Sequence, residues 1–122
     1  MQIRDAQFEQ FRAALEASFE TRAIAHLRKH HALQLATYSD EAIRTYVRMC
    51  AGRAQRLYGL DSEQAIVCYC QLPLILGGDF ETPQRFYEVA VILAHRSLEQ
   101  NTRAKIALAT AYQINPAAES QT

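Results

Sequence analysis

Two histidines are the residues whose spacing comes nearest to a metal site. His26 and His30 are four residues apart, so they would share one face of a helix, and two imidazoles at this spacing can hold a metal ion. A catalytic zinc helix would also carry a Glu beside the first His, but Ala25 and Leu27 flank His26. No third ligand is evident, so we predict no metal site and place these histidines near a helix end.

The cysteines offer no better chemistry. Cys68 and Cys70 are separated by one residue, and on a helix such positions point about 200° apart. They would not chelate a metal or form a disulfide together. With Cys50 the count is three, which argues against a disulfide framework and favours small thiols packed in a core. A nucleophilic cysteine–histidine pair would meet only in space, so the spacing neither predicts nor excludes one.

Carboxylates and glycines also lack a catalytic pattern. Asp61, Glu63, Asp79 and Glu81 stand near predicted helix starts, where capping and the helix dipole explain acidic residues. Gly77-Gly78 is not followed by the Lys-Ser or Lys-Thr of a phosphate-binding loop. We therefore predict that the protein is not an enzyme and binds no cofactor.

Composition predicts one globular domain that stays in the cytoplasm. The chain has 122 residues, of which 49% are apolar and 21% charged, and its formal net charge is zero. That balance gives the whole molecule no electrostatic attraction to nucleic acid or to an anionic membrane. No apolar run approaches the length of a membrane span. Residues 1–20 contain no continuous apolar stretch, which argues against a secretory signal peptide.

Helical periodicity dominates the chain and predicts an all-α fold. Phe8, Phe11, Leu15 and Phe19 recur at spacings of three and four, so they would lie on one helix face. Short connections would join the helices into a compact bundle of about five, formed by residues 1–115, with a flexible tail at 116–122. The predicted helices cover about residues 5–31, 40–58, 62–76, 83–98 and 103–113.

Helix boundaries follow from capping residues in the first half of the chain. Ser39 or Asp40 would cap the second helix after a connector at residues 32–38, and Gly59 suits the left-handed position after its end. Its apolar stripe is Ile43, Tyr46, Val47, Cys50 and Ala54. Asp61 and Gln64 have the spacing of a capping box, and would start the third helix.

Proline and polar residues set the predicted helix boundaries in the second half of the chain. Pro73 should kink the third helix or end it early. Thr82-Pro83 predicts the start of the fourth helix. Asn101 or Thr102 would cap the fifth, whose apolar residues are Ile106, Leu108 and Ala109, and Asn115-Pro116 would end it. Residues 67–76 are apolar nearly all round, which favours a central helix over an exposed groove for a partner.

Charge is unevenly distributed along the chain. Residues 21–58 carry seven basic and two acidic side chains, whereas residues 59–100 carry two and six. The favoured interpretation is pairing between these parts of the molecule. The alternative is a basic face that docks an acidic protein partner. Its candidate contact residues are Arg44, Arg48, Arg53, Arg56 and Tyr58.

Several short motifs resemble those of a known group of proteins. They are Met1-Gln2-Ile3 with Gln7 and Phe8, Phe19 to Leu27 with Arg28, Arg53-Ala54, Tyr58 to Glu63, Leu76 to Phe80, and Lys105-Ile106. Their order resembles small helical proteins encoded in type VI secretion gene clusters of Gram-negative bacteria. The chain departs from that pattern at Gln64 and Pro73.

The resemblance implies a non-catalytic adaptor or co-chaperone that helps to load a toxin onto the secretion spike. Its partner would be a secreted effector or a larger adaptor. An immunity protein that neutralises a cognate toxin and a small helical DNA-binding regulator are the alternatives, followed by an enzyme without a recognisable motif. The sequence leaves self-association open.

Overall fold

The computed structural model describes the backbone of residues 2–81 and 86–121, and the side chains of residues 16–81 and 86–118. Within those ranges the chain is helical and contains no strand, as the sequence predicted. The described residues form six α-helices where about five were expected. The elements are α1 (Gln2–His30), α2 (Ala32–Leu35), α3 (Asp40–Tyr58), α4 (Glu63–Leu76), α5 (Tyr87–Leu93), α6 (Gln100–Ile114) and a 3₁₀ helix (Pro116–Gln121).

Helices α1 and α3 form an antiparallel pair. Arg28, near the end of α1, donates from Nε to Asp40 Oδ1 at the start of α3, with a distance of 2.9 Å. About two turns away along each helix, Arg48 Nε donates to Glu20 Oε2 at 2.6 Å. The matching order of these contacts fixes the antiparallel register, with α2 in the short connection between the two helices.

Helix α4 lies at the centre of the bundle. It packs extensively against α6 and also touches α3 and α1, while α5 covers another part of α6. The central position predicted for residues 67–76 is thus confirmed, because most of α4 is buried. The largest fully buried side chains of the described residues are Tyr69, Phe80, Leu27, Ile43, Leu60, Leu72, Leu93, His31, Val47, Val89 and Cys70.

The boundaries predicted for α3 are confirmed. Ser39 Oγ accepts the backbone N–H of Ala42 at 3.1 Å and so caps the helix. Gly59 follows with φ of 67°, and its N–H bonds to the carbonyls of Ala54 and Gln55. The left-handed φ explains why a glycine ends this helix. The predicted apolar stripe faces the core, with Tyr46 half-buried.

The start of α4 differs from the prediction, and Pro73 does not end the helix. Ser62, not Asp61, caps the helix by accepting the N–H of Ala65 at 3.1 Å. Asp61 instead accepts from the side chain of Gln100. Pro73 does not end the helix early, since α4 continues to Leu76. A proline removes one N–H and affects only the preceding turn, so tertiary packing can hold the last residues helical.

The fourth predicted helix is shorter than expected. Its predicted start at Thr82-Pro83 lies outside the described residues. Helix α5 ends at Leu93 instead of Leu98, and turns follow in which the His95 N–H bonds to Ile92 and the Leu98 N–H bonds to His95. The polar residues of this stretch remain at the surface, which explains why helical propensity did not extend α5.

Helix α6 begins and packs differently from the prediction. The Glu99 carboxylate, rather than Asn101 or Thr102, caps it by accepting both of those residues' backbone N–H groups. Ile106 is 42% exposed, whereas three small residues face the core. Alanines allow α6 to approach α4 closely, so the larger side chains lie on its flanks. The buried small residues are Ala104, Ala107 and Ala111.

The C-terminal end is tied to the bundle. Asn115, which follows α6 as predicted, donates from Nδ2 to the carbonyl of Ile75 at 2.9 Å. The 3₁₀ helix begins one residue later, and its Ala118 is buried. Residues 116–121 therefore have regular structure where the sequence suggested a tail, and their flexibility stays a prediction.

Candidate protein-binding site

Two of the arginines predicted to bind a partner are paired within the molecule. Arg48 donates to Glu20 from Nε at 2.6 Å and from Nη2 at 3.0 Å, and Arg44 donates to the same carboxylate at 3.2 Å. Glu20 is almost fully buried. The Arg48 guanidinium holds the pKa of Glu20 below its ordinary value, although burial opposes this effect. These arginines join α3 to α1.

The next arginine and the predicted tyrosine are engaged elsewhere. Arg53 forms an ion pair with Glu81, and Tyr58 donates its hydroxyl to the same carboxylate at 2.7 Å. Tyr69 also donates to Glu81, at 2.9 Å. Burial, followed by the neighbouring carboxylate, raises the pKa of Tyr58. Three side chains therefore fix the segment after α4 against the end of α3.

The predicted basic residues do not form one free surface. Arg44 and Arg48 face α1, while Arg53 and Tyr58 face Glu81. Arg56 is exposed. Of these contacts, the Arg53–Glu81 pair joins the basic segment 21–58 to the acidic segment 59–100, as the favoured interpretation expects, whereas Arg44 and Arg48 pair with Glu20 of α1. A role of these five residues in binding a partner stays a prediction.

An open groove lies between α1, α3 and the start of α4, with a volume of about 480 Å³. We call it the α1–α3 groove. Sequence reasoning missed it, because it depends on how three helices diverge and not on a local motif. Its lining includes Glu16, Phe19, Glu20, Val47, Arg48, Ala51, Gly52, Gln55, Leu60, Asp61, Glu63 and Ile66.

Apolar side chains form the floor of the α1–α3 groove. Val47 and Leu60 have no solvent exposure, and Phe19 and Ile66 are half-buried against the core. Gly52 lies at the exposed side, and a Cβ at this position would meet no atom within 4 Å. The groove is therefore shaped by a floor that belongs to the core and by an opening at a residue without a side chain.

Acidic side chains dominate the charge of the groove lining. Four carboxylates accompany one guanidinium, that of Arg48. Glu63 pairs with Arg22 at 2.6 Å, and both side chains are more than half exposed, so solvent screens this pair strongly. Asp61 is exposed beside it. The lining thus combines a buried apolar floor with carboxylates, of which Glu20 and Glu63 are paired with arginines.

A second polar cluster surrounds Gln71, which the sequence did not single out. His31, fully buried, has Nε2 3.1 Å from Gln71 Oε1, and the Gln71 amide nitrogen is 3.4 Å from His26 Nε2. Tyr112 donates to Gln71 Oε1 at 3.4 Å. Burial lowers the pKa of His31, and desolvation followed by the charge of His30 lowers that of His26.

The cluster has a consistent assignment of donors and acceptors. Since Gln71 Oε1 can only accept, His31 Nε2 carries the proton, and its Nδ1 is buried without a hydrogen-bond partner. The Gln71 amide donates to His26 Nε2, which must then be an acceptor. His26 is neutral in this arrangement, and the lowered pKa of His31 favours its neutral form as well. The cluster joins α1, α4 and α6 and serves the packing of the bundle.

The prediction that the cysteines pack in the core is confirmed. Cys50, Cys68 and Cys70 are free thiols and buried. Hydrogen bonding from Cys70, against the effect of burial, lowers the pKa of Cys50, whereas hydrogen bonding to Cys50 and burial raise that of Cys70. Tyr46 donates its hydroxyl to the carbonyl of Cys70 at 2.6 Å. Burial keeps these thiols away from any substrate in solution.

Two further properties concern metals and membranes. Across residues 16–81 and 86–118, no three His, Cys, Asp or Glu side chains are grouped so that they could hold a metal ion. The described helices also include none with the length and hydropathy needed to cross a membrane. Within the described residues, the Gln71 cluster joins His26, His31 and Tyr112 to one glutamine.

Comparisons of the chain with protein-family models, with curated proteins and with solved structures found no match. The α1–α3 groove is therefore judged on its own geometry. It has a buried apolar floor, an exposed glycine at its opening and a lining that includes four carboxylates.

Proposed function

We propose that this protein is a non-catalytic, protein-binding adaptor or co-chaperone, and that it receives a partner segment in the α1–α3 groove. The observation that carries the proposal is the groove itself, in which the half-buried Phe19 and Ile66 lie beside a floor of core residues. An apolar groove between helices is a common receptor for an extended or helical segment of another protein. The proposal includes cytoplasmic action.

The secretion context of the proposal rests on the sequence resemblance alone. On that basis the partner is a secreted effector or a larger adaptor of a type VI secretion system. The charge arrangement supports protein over DNA as the partner. Arg44, Arg48 and Arg53 already bind carboxylates, which reduces the positive charge that α3 could offer to phosphates.

Gly52→Trp tests the groove directly. A Cβ at this position would meet no atom within 4 Å, and Gly52 lines the groove, so we expect an indole there to occupy part of the groove. Replacing a helical glycine also favours the folded helix by up to about 1 kcal/mol. We expect the variant to fold. We also expect it not to retain its partner when the tagged protein is captured from cells that express the genes encoded beside this one.

The matched control for this experiment is Ala109→Trp. Ala109 is exposed on α6, away from the groove lining, so the same bulky side chain is added elsewhere. The partner is identified by mass spectrometry from the wild-type capture. Equal capture of that partner by the wild type and by Gly52→Trp would refute binding in the groove. If neither the wild type nor either variant captured any partner, the adaptor role would be refuted.

A further inference from the structure

Two of the three buried thiols meet at the contact between α3 and α4. Tyr46 lies one turn before Cys50 on α3, and its hydroxyl donates to the backbone carbonyl of Cys70 on α4 at 2.6 Å. Cys50 follows on the same side of α3, and a side-chain hydrogen bond joins its thiol to that of Cys70. Cys50 is 2% exposed, and Cys70 has no solvent exposure. The fold therefore brings together two thiols that the sequence places on separate helices.

The third thiol belongs to a different contact. Cys68 precedes Cys70 by two residues, which puts the two side chains about 200° apart around α4. Cys68 lines a cleft between α1, α4 and α6 together with Leu108, and the charge of Lys105 on α6 acts on its thiol. Cys70, not Cys68, is therefore the thiol that faces Cys50.

The surroundings give the two facing thiols different acidities. Hydrogen bonding with Cys70 lowers the pKa of Cys50, and Tyr46 and the charge of Arg53 act in the same direction, although burial opposes them. Hydrogen bonding with Cys50, followed by burial, raises the pKa of Cys70. Because the thiolate is the nucleophilic form, Cys50 is the thiol that reacts first, and Cys70 supplies the second sulfur.

We propose that Cys50 and Cys70 form a reversible oxidation site, at which a small peroxide converts the two thiols into a disulfide between α3 and α4. The pairing of an attacking thiol with a resolving thiol is typical of redox-sensitive cysteines. In a reducing compartment such a disulfide is transient. Neither cysteine lines the α1–α3 groove, so the site does not depend on the proposed function.

The reaction balances with hydrogen peroxide as the oxidant. The Cys50 thiolate attacks one peroxide oxygen, the O–O bond breaks, and the departing hydroxide takes up the thiol proton to form water. Cys50 is then a sulfenic acid. The Cys70 sulfur attacks the Cys50 sulfur, the S–O bond breaks, and a second water leaves with the Cys70 proton. Two thiols lose two electrons and two protons, and one peroxide is reduced to two waters.

Access to the sulfurs sets the rate of this reaction. In the closed bundle both sulfurs are shielded from solution. Hydrogen peroxide is uncharged and only slightly larger than water, so it reaches them when the contact between α3 and α4 opens locally. The disulfide then holds the two helices together, because it links them covalently and restricts the unfolded chain between them.

The test treats the reduced full-length protein with hydrogen peroxide, blocks the remaining thiols with iodoacetamide in denaturant and measures the intact mass. We expect the protein to lose the mass of two hydrogens and to keep one of its three thiols open to alkylation. Dithiothreitol should restore all three. These results require that the two oxidised sulfurs form a bond, since a sulfinic or sulfonic acid would add oxygen and would resist the reductant.

Three variants assign the bond to its sulfurs. Cys68→Ala is the matched control and should still form the disulfide, whereas Cys50→Ala and Cys70→Ala should not. In Cys70→Ala, dimedone should trap a sulfenic acid at Cys50, while Cys50→Ala should give no such adduct. Circular dichroism establishes that each variant is folded. If Cys68→Ala failed to form the bond, or if Cys50→Ala still formed one, the assignment would be wrong.

A further measurement uses the wild type alone and so does not depend on the folding of a variant. The same oxidation in urea should give a mixture of pairings that includes Cys68, because the unfolded chain does not select between the thiols. The folded protein should join Cys50 to Cys70 alone, as read by fragmentation of the linked peptides. An identical mixture in both conditions, or no loss of two hydrogens from the folded protein, would overturn the proposal.

Discussion

At the residue scale, one buried arginine, Arg103, caps the C-terminal ends of two helices, α3 and α5. Arg103 is 5% exposed, and its Nη1 donates to the carbonyls of Tyr58 and Leu93 at 3.0 and 2.6 Å. Its Nε donates to the carbonyl of Leu98 at 3.1 Å. Tyr58 and Leu93 are the last residues of α3 and α5, where carbonyls lack helical partners. The positive charge of Arg103 also interacts favourably with the negative C-terminal ends of both helix dipoles.

Replacing this guanidinium should destabilise the protein strongly. Arg103→Leu would leave the Tyr58 and Leu93 carbonyls buried without these donors, which should cost about 3 kcal/mol in the free energy of unfolding. Arg103→Lys should cost less, because an ammonium can still donate to one or two carbonyls. Urea denaturation measures both values. Arg56→Leu, an exposed change on α3, should stay within about 0.5 kcal/mol of the wild type.

The residue-level features differ in how far they could be predicted. Ser39 and Gly59 were predicted correctly because a cap and a left-handed C-terminal residue depend on their immediate neighbours. The role of Arg103 depends on Tyr58, 45 residues away, and on the turn after α5. No local pattern distinguishes an arginine that bonds distant carbonyls from one on a solvated helix face. Similar reasoning applies to Glu20, whose partners are on another helix.

At the scale of elements, one buried carboxylate couples α1 to α3. Glu20 accepts hydrogen bonds from Arg44 and Arg48, which are one turn apart on α3. The Arg48 side chain is 63% exposed and that of Glu20 is 9% exposed, so the acid lies inside the contact and the base at its edge. Arg44 and Arg48, which the sequence analysis considered for a docking face, therefore form part of the contact between α1 and α3.

The contribution of this carboxylate should depend on pH. Its folded pKa is lowered from an ordinary value of 4.5, so its stabilising effect is present above pH 4.5 and is lost as the pH falls through the folded pKa. Glu20→Gln should cost about 1 kcal/mol at neutral pH, a figure reduced for the exposure of Arg48. Urea denaturation of the wild type and the variant should show this difference shrinking toward about pH 3.

A matched surface variant separates this effect from general acid destabilisation. Glu63→Gln breaks the exposed pair with Arg22 and should change stability by less than about 0.5 kcal/mol at neutral pH. A Glu20→Gln variant as stable as the wild type at neutral pH would show that the buried pair contributes no net stability. A difference that stayed constant down to about pH 3 would contradict the lowered pKa.

The positions of the helices could be predicted from the sequence, whereas the α1–α3 groove could not. The apolar stripe of α3 and the central position of α4 follow from periodicity and from a helix that is apolar all round. The α1–α3 groove has no such signature. Its floor residues belong to the normal core pattern, and its lining comes from three helices and the connection between α3 and α4, a combination that no local motif encodes.

At the scale of the whole molecule, opposite charges in distant segments hold the bundle together. The basic segment 21–58 contributes Arg53 and Arg22, which bind Glu81 and Glu63 of the acidic segment 59–100. The uneven charge along the chain is thereby partly neutralised in the fold.

The buried histidine also links the stability of the whole bundle to pH, in a range separate from that of Glu20. His31 has a folded pKa below its ordinary value of 6.5 because burial disfavours the charged imidazole. The unfolded chain then binds a proton that the folded chain does not, between the folded pKa and pH 6.5. Above pH 6.5 the folded state loses no stability through His31. Below pH 6.5 the free energy of unfolding decreases as the pH falls, until the pH reaches the folded pKa.

His31→Leu should remove much of this pH dependence. The wild type should lose up to about 1.4 kcal/mol of unfolding free energy per histidine and per pH unit below pH 6.5. The variant should show a shallower slope, with the remainder due to His26, whose pKa is also lowered. It should also be less stable at neutral pH, because Gln71 loses a hydrogen bond. Urea denaturation at several pH values measures the slopes, and NMR titration of the imidazole measures the pKa. If His31 titrated at or above 6.5 and the slopes of the two proteins were equal, its burial would not govern this acid sensitivity.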